Sequence, residues 1–69
     1  MARSLISEFP VLLVRPEDAA TALGVGRTKV YELMRSGALR SVKIGGLRRI
    51  PAIALADFVA QLEEQERVA

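Results

Sequence analysis

The chain of 69 residues contains no cysteine, no histidine and no tryptophan, and aromatic residues make up only 4% of it. The absence of cysteine excludes disulfides and thiolate metal sites, and the absence of histidine removes the commonest metal ligand and the usual general base. No apolar run approaches the ~20 residues of a membrane span, and the N-terminal residues do not have the pattern of a signal peptide. We therefore expect no enzyme, no metal, no cofactor and no membrane contact, in a soluble cytoplasmic protein.

The charge is distributed unevenly along the chain. Residues 15–49 contain eight cations and three anions, whereas the residues from Ile50 onward contain one cation and four anions. A basic body favours binding to a polyanion, and an acidic end favours a different partner. Ordinary solvated charge is an equally weighted explanation of this asymmetry taken alone.

The stretch from Pro16 to Gly37 predicts two short helices, over residues 16–23 and 27–36, joined by a three-residue turn. Pro16 suits the first position of a helix, and Gly24 and Gly37 suit the left-handed residues that end one. At about 100° per residue, the apolar side chains fall on inward faces. These inward residues are Ala19, Ala20, Leu23, Val30, Leu33 and Met34. Two helices with a tight Gly-containing turn, the second polar and basic outside, predict a helix-turn-helix.

Arg15 and Gly26 occupy the N-cap positions of these helices, where Ser, Thr, Asp or Asn would cap better. We expect Asp18 to compensate partly by accepting a hydrogen bond from a free backbone N–H.

Two further segments predict strands. Val11 to Val14 predicts one short strand at the edge of a sheet, and residues 40–44 and 48–51 predict a hairpin. A three-residue loop, Gly45 to Leu47, would pair Ile44 with Arg48 and Val42 with Ile50. We prefer it to a two-residue Gly-Gly turn because it gathers the apolar residues on one face. Such a hairpin beside a helix-turn-helix is a wing.

The longest helical pattern runs from Ala52 to about Glu66. Its apolar stripe is expected to close the core, and it consists of Leu55, Phe58, Val59 and Leu62. A second line, Ile53, Ala56 and Ala60, is more simply incidental surface than a contact site. The organisation predicted is a tail (1–10), a winged helix-turn-helix domain (11–62) and an acidic end (63–69), in an α+β, mainly α fold. The tail residues Leu5, Ile6 and Phe9 would either fold back on the core or become ordered on a partner.

One set of residues makes the chain resemble a known family. The set is Ala19-Ala20, Leu23-Gly24-Val25, Arg27, Val30-Tyr31, Leu33, Gly37, Leu39, Val42-Lys43-Ile44-Gly45-Gly46, Arg48-Arg49-Ile50-Pro51, Ala54-Leu55 and Phe58. It resembles the excisionases, small winged helix-turn-helix proteins related to the DNA-binding part of MerR-type regulators, and it covers about Leu12 to Leu62. The composition resembles that of a phage or mobile element of a GC-rich host. The chain departs from the family at Arg15 and Gly26, and at Leu47, where the wing often carries a polar or basic residue.

The resemblance implies that the second helix enters the major groove and that the wing lies along the backbone or minor groove of double-stranded DNA. The implied DNA-binding residues are Arg27, Thr28, Lys29, Tyr31, Glu32 and Arg35 on the recognition helix, and Lys43, Gly46, Leu47, Arg48 and Arg49 on the wing. Leu47 raises the option of an apolar contact with sugar or base edges. Tyr31 could equally be a half-buried ring that supports the turn, and Glu32 could either accept from cytosine or orient Arg35. Arg40 has a surface or a phosphate role.

The function implied is that of a recombination directionality factor. It would bind and bend attachment-site DNA, associate with further copies on adjacent sites, and direct an integrase, expected to be a tyrosine recombinase, toward excision. The alternative is a small winged-helix transcriptional regulator, which usually needs an appended effector segment or a long dimerisation helix. The short length beyond the third helix favours the first. An interaction adaptor without a DNA role ranks last, because it leaves the basic body unexplained.

Overall fold

The computed structural model describes residues 11–68. The N-terminal tail, with Leu5, Ile6 and Phe9, lies outside the described residues, as does Ala69. The elements in chain order are β1 (Leu13–Val14), α1 (Pro16–Leu23), α2 (Arg27–Ser36), β2 (Val42–Ile44), β3 (Leu47–Pro51) and α3 (Ala52–Val68). The predicted small, mainly helical, winged helix-turn-helix is confirmed.

The turn between α1 and α2 is fixed by the way α1 ends. Gly24 adopts a left-handed conformation with φ of 73° and donates its N–H to the carbonyl of Thr21 at 3.2 Å. The N–H of Val25 reaches back to the carbonyl of Ala20 at 3.0 Å. This pair of bonds is a Schellman motif, which satisfies two carbonyls at the helix end and reverses the chain sharply. The sequence places glycine where that reversal requires it.

Both helices begin without a side-chain cap, as the sequence predicts for Arg15 and Gly26. The expected contact of Asp18 with a backbone N–H is replaced by a contact with Arg15, whose Nε donates to the Asp18 carboxylate at 3.1 Å. That hydrogen bond and the charge of Asp18, with a smaller effect of Glu17, raise the pKa of Arg15 above its ordinary value. The first turn of α1 is therefore stabilised by charge, not by a cap.

The core lies where α1, α2, β3 and α3 meet. Leu39, Ile50 and Val30 are its largest fully buried side chains, and three alanines complete it: Ala19, Ala20 and Ala54. Partly buried residues pack against it, namely Val14, Leu23, Leu33, Met34, Leu55 and Phe58. The predicted inward faces of α1 and α2 are thus confirmed.

The stripe predicted on α3 closes the core only along the first half of the helix. Leu55 and Phe58 pack against the core, whereas Val59 is 38% and Leu62 is 43% exposed. Ala54, which lies outside the predicted stripe, is buried instead. The helix continues to Val68, and all its residues from Val59 onward are exposed.

The three strands form an antiparallel sheet in the order β1-β3-β2. The predicted edge strand is confirmed as β1, but it is only two residues long. Val14 lies opposite Ile50, and the N–H of Ala52 donates to the carbonyl of Leu12 at 2.8 Å. The central strand β3 is therefore hydrogen-bonded to β1 on one side and to β2 on the other. Its residue Ile50 enters the core.

The predicted register of the wing is wrong. The hairpin turns through two residues, Gly45 and Gly46, and pairs Ile44 with Leu47 and Val42 with Arg49. Gly45 has φ of 58°, so the glycine at the first turn position supplies the positive φ that a two-residue turn needs there. The prediction assumed that all apolar residues of the hairpin share the buried face, but β2 lies at the edge of the sheet and has no buried residue. Val42 can therefore be exposed without any loss of packing in the core.

Candidate nucleic-acid interface

The exposed side of α2 carries four of the residues predicted to contact DNA. At about 100° per residue, Arg27, Tyr31, Arg35 and Thr28 fall within an arc of roughly 100°, and all four are exposed. Val30, which at the same spacing falls roughly 110° from the middle of this arc, is fully buried. The core therefore orients α2 so that these four side chains face solvent together.

Lys29 and Glu32 lie away from the middle of this arc and are paired with each other. The ammonium of Lys29 is 3.4 Å from the carboxylate of Glu32. Lys29 also lines an apolar groove together with Leu33 and Val59, on the side of α2 that faces α3. One suggested role of Glu32 was to orient Arg35. Within residues 11–68, Glu32 forms its ion pair with Lys29 and not with Arg35.

Arg48 of the wing lies next to the exposed side of α2. In an antiparallel pair, residues opposite each other share a face, so Arg48 lies on one face with Lys43 and, two residues along β3, with Ile50. Arg48 donates to the hydroxyl of Ser41 at 3.3 Å. It lines a shallow depression of about 260 Å³ between helix and wing, which we call the notch, lined by Tyr31, Met34, Arg35, Ser41 and Arg48.

The notch is a feature that the sequence interpretation missed. Ser41 was not among the predicted site residues, because its side chain acquires a role only in the observed register. Tyr31 is 39% exposed in the notch, so its ring is half-buried and still accessible. Both interpretations of Tyr31 are compatible with that placement, and its contact with DNA stays a prediction.

Arg48 and Arg49, predicted as a pair, lie on opposite faces of the sheet. Arg49 shares the outer face with Val42, its partner across the ladder, and donates to the carbonyl of Arg48 at 2.7 Å. Gly46 and Leu47 form the tip, where Leu47 is 55% exposed. The wing thus has a basic inner face, with Lys43 and Arg48, and an outer face that is mostly aliphatic.

Ion pairing separates the cations into two groups. Within residues 11–68, Arg15 pairs with Asp18, Lys29 with Glu32, Arg40 with Asp57 at 3.7 Å, and Arg67 with Glu64. Arg40 thus has a surface partner. The cations that pair with no carboxylate of the described residues are Arg27, Arg35, Lys43, Arg48 and Arg49. All five lie on α2 or the wing. The wing contains no Asp or Glu, since none occurs in the sequence between Glu32 on α2 and Asp57 on α3.

Among residues 11–68, no three potential metal ligands lie together. None of the helices in this part of the chain combines the length and the apolar character of a membrane span.

The chain is similar to known proteins over most of its length. Residues 13–63 match the family model described as a helix-turn-helix domain. A probable excisionase of Saccharopolyspora erythraea is 50% identical over 58 residues, which is 84% of this chain and 59% of that protein. An excisionase of Streptomyces ambofaciens is 52% identical over 50 residues, 72% of this chain and 79% of that protein. The chain thus spans about three fifths of the length of the first relative. No solved structure matches it significantly.

Proposed function

This chain belongs to the excisionases of the helix-turn-helix domain family, and from that premise we propose that it binds attachment-site DNA, bends it and directs an integrase toward excision of a prophage or other mobile element. Excisionases are DNA-binding accessory proteins and not enzymes. The family therefore agrees with the prediction, made from the missing histidine and cysteine, that the chain has no catalytic centre.

The observation that carries the proposal is the clustering, on α2 and the wing, of the five cations that pair with no carboxylate within residues 11–68. A cation without a carboxylate partner can neutralise a phosphate and release its counterion, which provides affinity for any duplex. Arg27 and Thr28 lie at the N-terminal end of α2, where recognition helices contact bases. Arg27 can donate two hydrogen bonds from its guanidinium, one to guanine O6 and one to N7, and the methyl group of Thr28 can contact that of thymine.

The notch suits contacts with the DNA backbone, whereas the N-terminal end of α2 suits contacts with bases. Arg35 and Arg48 come from different elements but line one depression, so a phosphate at the edge of the major groove can receive hydrogen bonds from both. Such contacts fix the register of α2 without reading sequence. Lys43 and Arg49, on the two faces of the wing, would contact the flanking backbone.

A footprint on the element's own attachment-site DNA, with and without integrase, tests the proposal. We expect protection at discrete sites by the chain alone and extended protection when integrase is added. An Arg27→Ala variant should lose the discrete sites, whereas Arg67→Ala, whose guanidinium is paired with Glu64 on α3, should keep them. Discrete protection near a promoter, with no effect of integrase, would instead identify a transcriptional regulator. Absence of protection at any site would contradict both.

We also propose that several copies bind side by side. A chain of 69 residues covers few base pairs, so an architectural role requires more than one copy. The second apolar line of α3 is available for such contacts, since Ile53 is 65% exposed. The tail residues Leu5, Ile6 and Phe9 are the other proposed contact, outside the described residues. Titration of duplexes with one site and with several adjacent sites tests this, and equal affinity per site on both would contradict it.

A further inference from the structure

The outer face of the wing presents aliphatic side chains to solvent at the very end of the hairpin. Ile44 and Leu47 flank the Gly45-Gly46 turn, pair directly across the ladder and are 53% and 55% exposed. Val42, two residues behind Ile44 on the same face, is 39% exposed. We call Val42, Ile44 and Leu47 the apolar wing face. A sheet edge with exposed aliphatic residues promotes aggregation unless a partner covers it.

Charge around the apolar wing face indicates a polyanion as that partner. Lys43 and Arg48 occupy the opposite face of the same hairpin, Arg49 lies beside Val42, and no Asp or Glu occurs between Glu32 and Asp57. A protein surface that covered the aliphatic residues would have to place its own groups beside three cations. An opened DNA minor groove meets both demands, because its walls carry phosphates and an unstacked base step exposes apolar base faces.

We infer that Ile44 and Leu47 form a wedge that enters the minor groove and partly unstacks a base step, which makes the wing the device that bends the DNA. This inference rests on the proposed DNA binding. A two-stranded ribbon with side chains on both faces is wider than the roughly 6 Å minor groove of B-DNA, so the wing enters only if the groove opens. Aliphatic wedges between base steps open the groove and kink the duplex by roughly 20–90° toward the major groove.

The direction of that kink suits the rest of the molecule. With α2 in the major groove, a bend toward the major groove closes the duplex around the recognition helix and brings backbone toward the notch. Lys43 and Arg48, on the other face of the wing, would then contact the phosphates of the opened groove. The wedge and the cations therefore act on the same stretch of DNA.

The test uses the full chain and a single-site duplex taken from the footprint of the attachment site. Fluorescent dyes at the two ends report bending by energy transfer, and 2-aminopurine placed at successive base steps reports unstacking. The variant Ile44→Thr/Leu47→Thr places β-branched side chains, which suit a strand, at both positions but removes the aliphatic wedge. The matched control, Val11→Thr/Leu12→Thr, makes the same kind of change at two exposed aliphatic side chains before β1 and leaves the wing intact.

We expect the wild type and the control to bend the duplex and to raise 2-aminopurine fluorescence at one step. The wing variant should lose both signals but still bind the duplex, because the cations of α2 remain. The magnitude of its slope of log K against log salt should fall by at most about 0.9 for each of the contacts of Lys43 and Arg48 with the opened groove. Equal bending and unstacking by the wing variant would overturn the inference, as would binding by the wild type without bending. Loss of cooperativity on adjacent sites with a normal single-site bend would instead make this face a contact between copies. Absence of any DNA binding by the wild type would overturn the proposed function itself.

Discussion

Arg48 donates a hydrogen bond to the hydroxyl of Ser41 at 3.3 Å, which ties a cation of β3 to the residue that precedes β2. The bond holds the guanidinium at the notch, beside Tyr31 and Arg35 of the recognition helix. Since fixing a long side chain on binding costs conformational entropy, a cation already held in place contacts a phosphate more favourably than a free one.

Removal of wing cations should weaken binding to every sequence and reduce its salt dependence. Each lost phosphate contact should reduce the magnitude of the slope of log K against log salt by about 0.9, so Arg48→Ala/Arg49→Ala should reduce it by about twice as much as either single change. Fluorescence anisotropy titrations at several KCl concentrations measure this slope. Arg67→Ala is the control, because Arg67 is paired on α3.

Ser41→Ala separates positioning from charge at the same place. It removes the acceptor of Arg48 and leaves the number of cations unchanged, so affinity should fall while the slope stays the same. An unchanged slope in the double arginine variant would exclude the wing from the interface.

Changes at the N-terminal end of α2 should affect the choice of sequence. Arg27→Ala or Thr28→Ala should lose discrimination between the specific site and a scrambled duplex by about 1–3 kcal/mol, the value of a good base contact. Competition binding with the two duplexes gives the ratio directly. Arg48→Ala is the matched comparison, since a phosphate contact should weaken both duplexes equally. A ratio unchanged by both Arg27→Ala and Thr28→Ala would move base recognition elsewhere on the protein.

The helices were predictable because local chemistry determines them. Pro16 begins α1, Gly24 and Gly37 adopt the left-handed conformations that end α1 and α2, and the 100° spacing identifies Val30 as buried. Each of these signals lies within a few residues of the feature it predicts. The exposed arc of α2 follows from the same spacing.

The wing was not predictable in the same way. Its register depends on whether a helix covers β2, which is a tertiary fact that the alternation of residues does not contain. The choice of a three-residue loop placed Val42 with Ile50, whereas the actual turn places Val42 with Arg49. That single-residue error also hid the role of Ser41 and the apolar wing face. The stronger local signal was the Gly-Gly pair itself, which favours a two-residue turn.

An N-cap introduced at Arg15 should stabilise the fold. Arg15 has the extended backbone of an N-cap, with φ of −74° and ψ of 155°, but no capping hydrogen bond. In Arg15→Ser the hydroxyl can accept a hydrogen bond from the backbone N–H of Asp18, three residues on. The Asp18 carboxylate can accept one from the backbone N–H of residue 15, and the two bonds together make a capping box. A gain of about 1 kcal/mol should raise Tm by about 4–8 °C in a domain of this size.

Arg15→Ala isolates the cap from the ion pair. Both variants lose the exposed contact with Asp18, but only Ser supplies a cap, so the Tm difference between them measures the cap alone. Thermal unfolding followed by circular dichroism gives both values. Equal Tm for the Ser and Ala variants would contradict the prediction.

The acidic end should serve a partner other than DNA. Residues 63–68 form exposed final turns of α3, and the Arg67 guanidinium pairs with Glu64 inside this segment. Carboxylates repel phosphates within a Debye length of about 8–10 Å, so a segment carrying Glu63, Glu64 and Glu66 is disfavoured beside the duplex. An integrase that binds DNA with its own cations offers a complementary surface.

Truncation after Leu62 tests this role without removing the core. Leu55 and Phe58 of α3 remain, so the truncated chain should fold and bind its site with normal affinity but fail to form the slower-migrating complex with integrase in a gel-shift assay. The full-length Glu63→Gln/Glu64→Gln/Glu66→Gln variant keeps the helix and removes the charge, and it should fail in the same way if charge recruits the integrase. A complex formed by the truncated chain as well as by the intact one would leave the three glutamates with only a solubilising role, and the acidic end would not be a partner site.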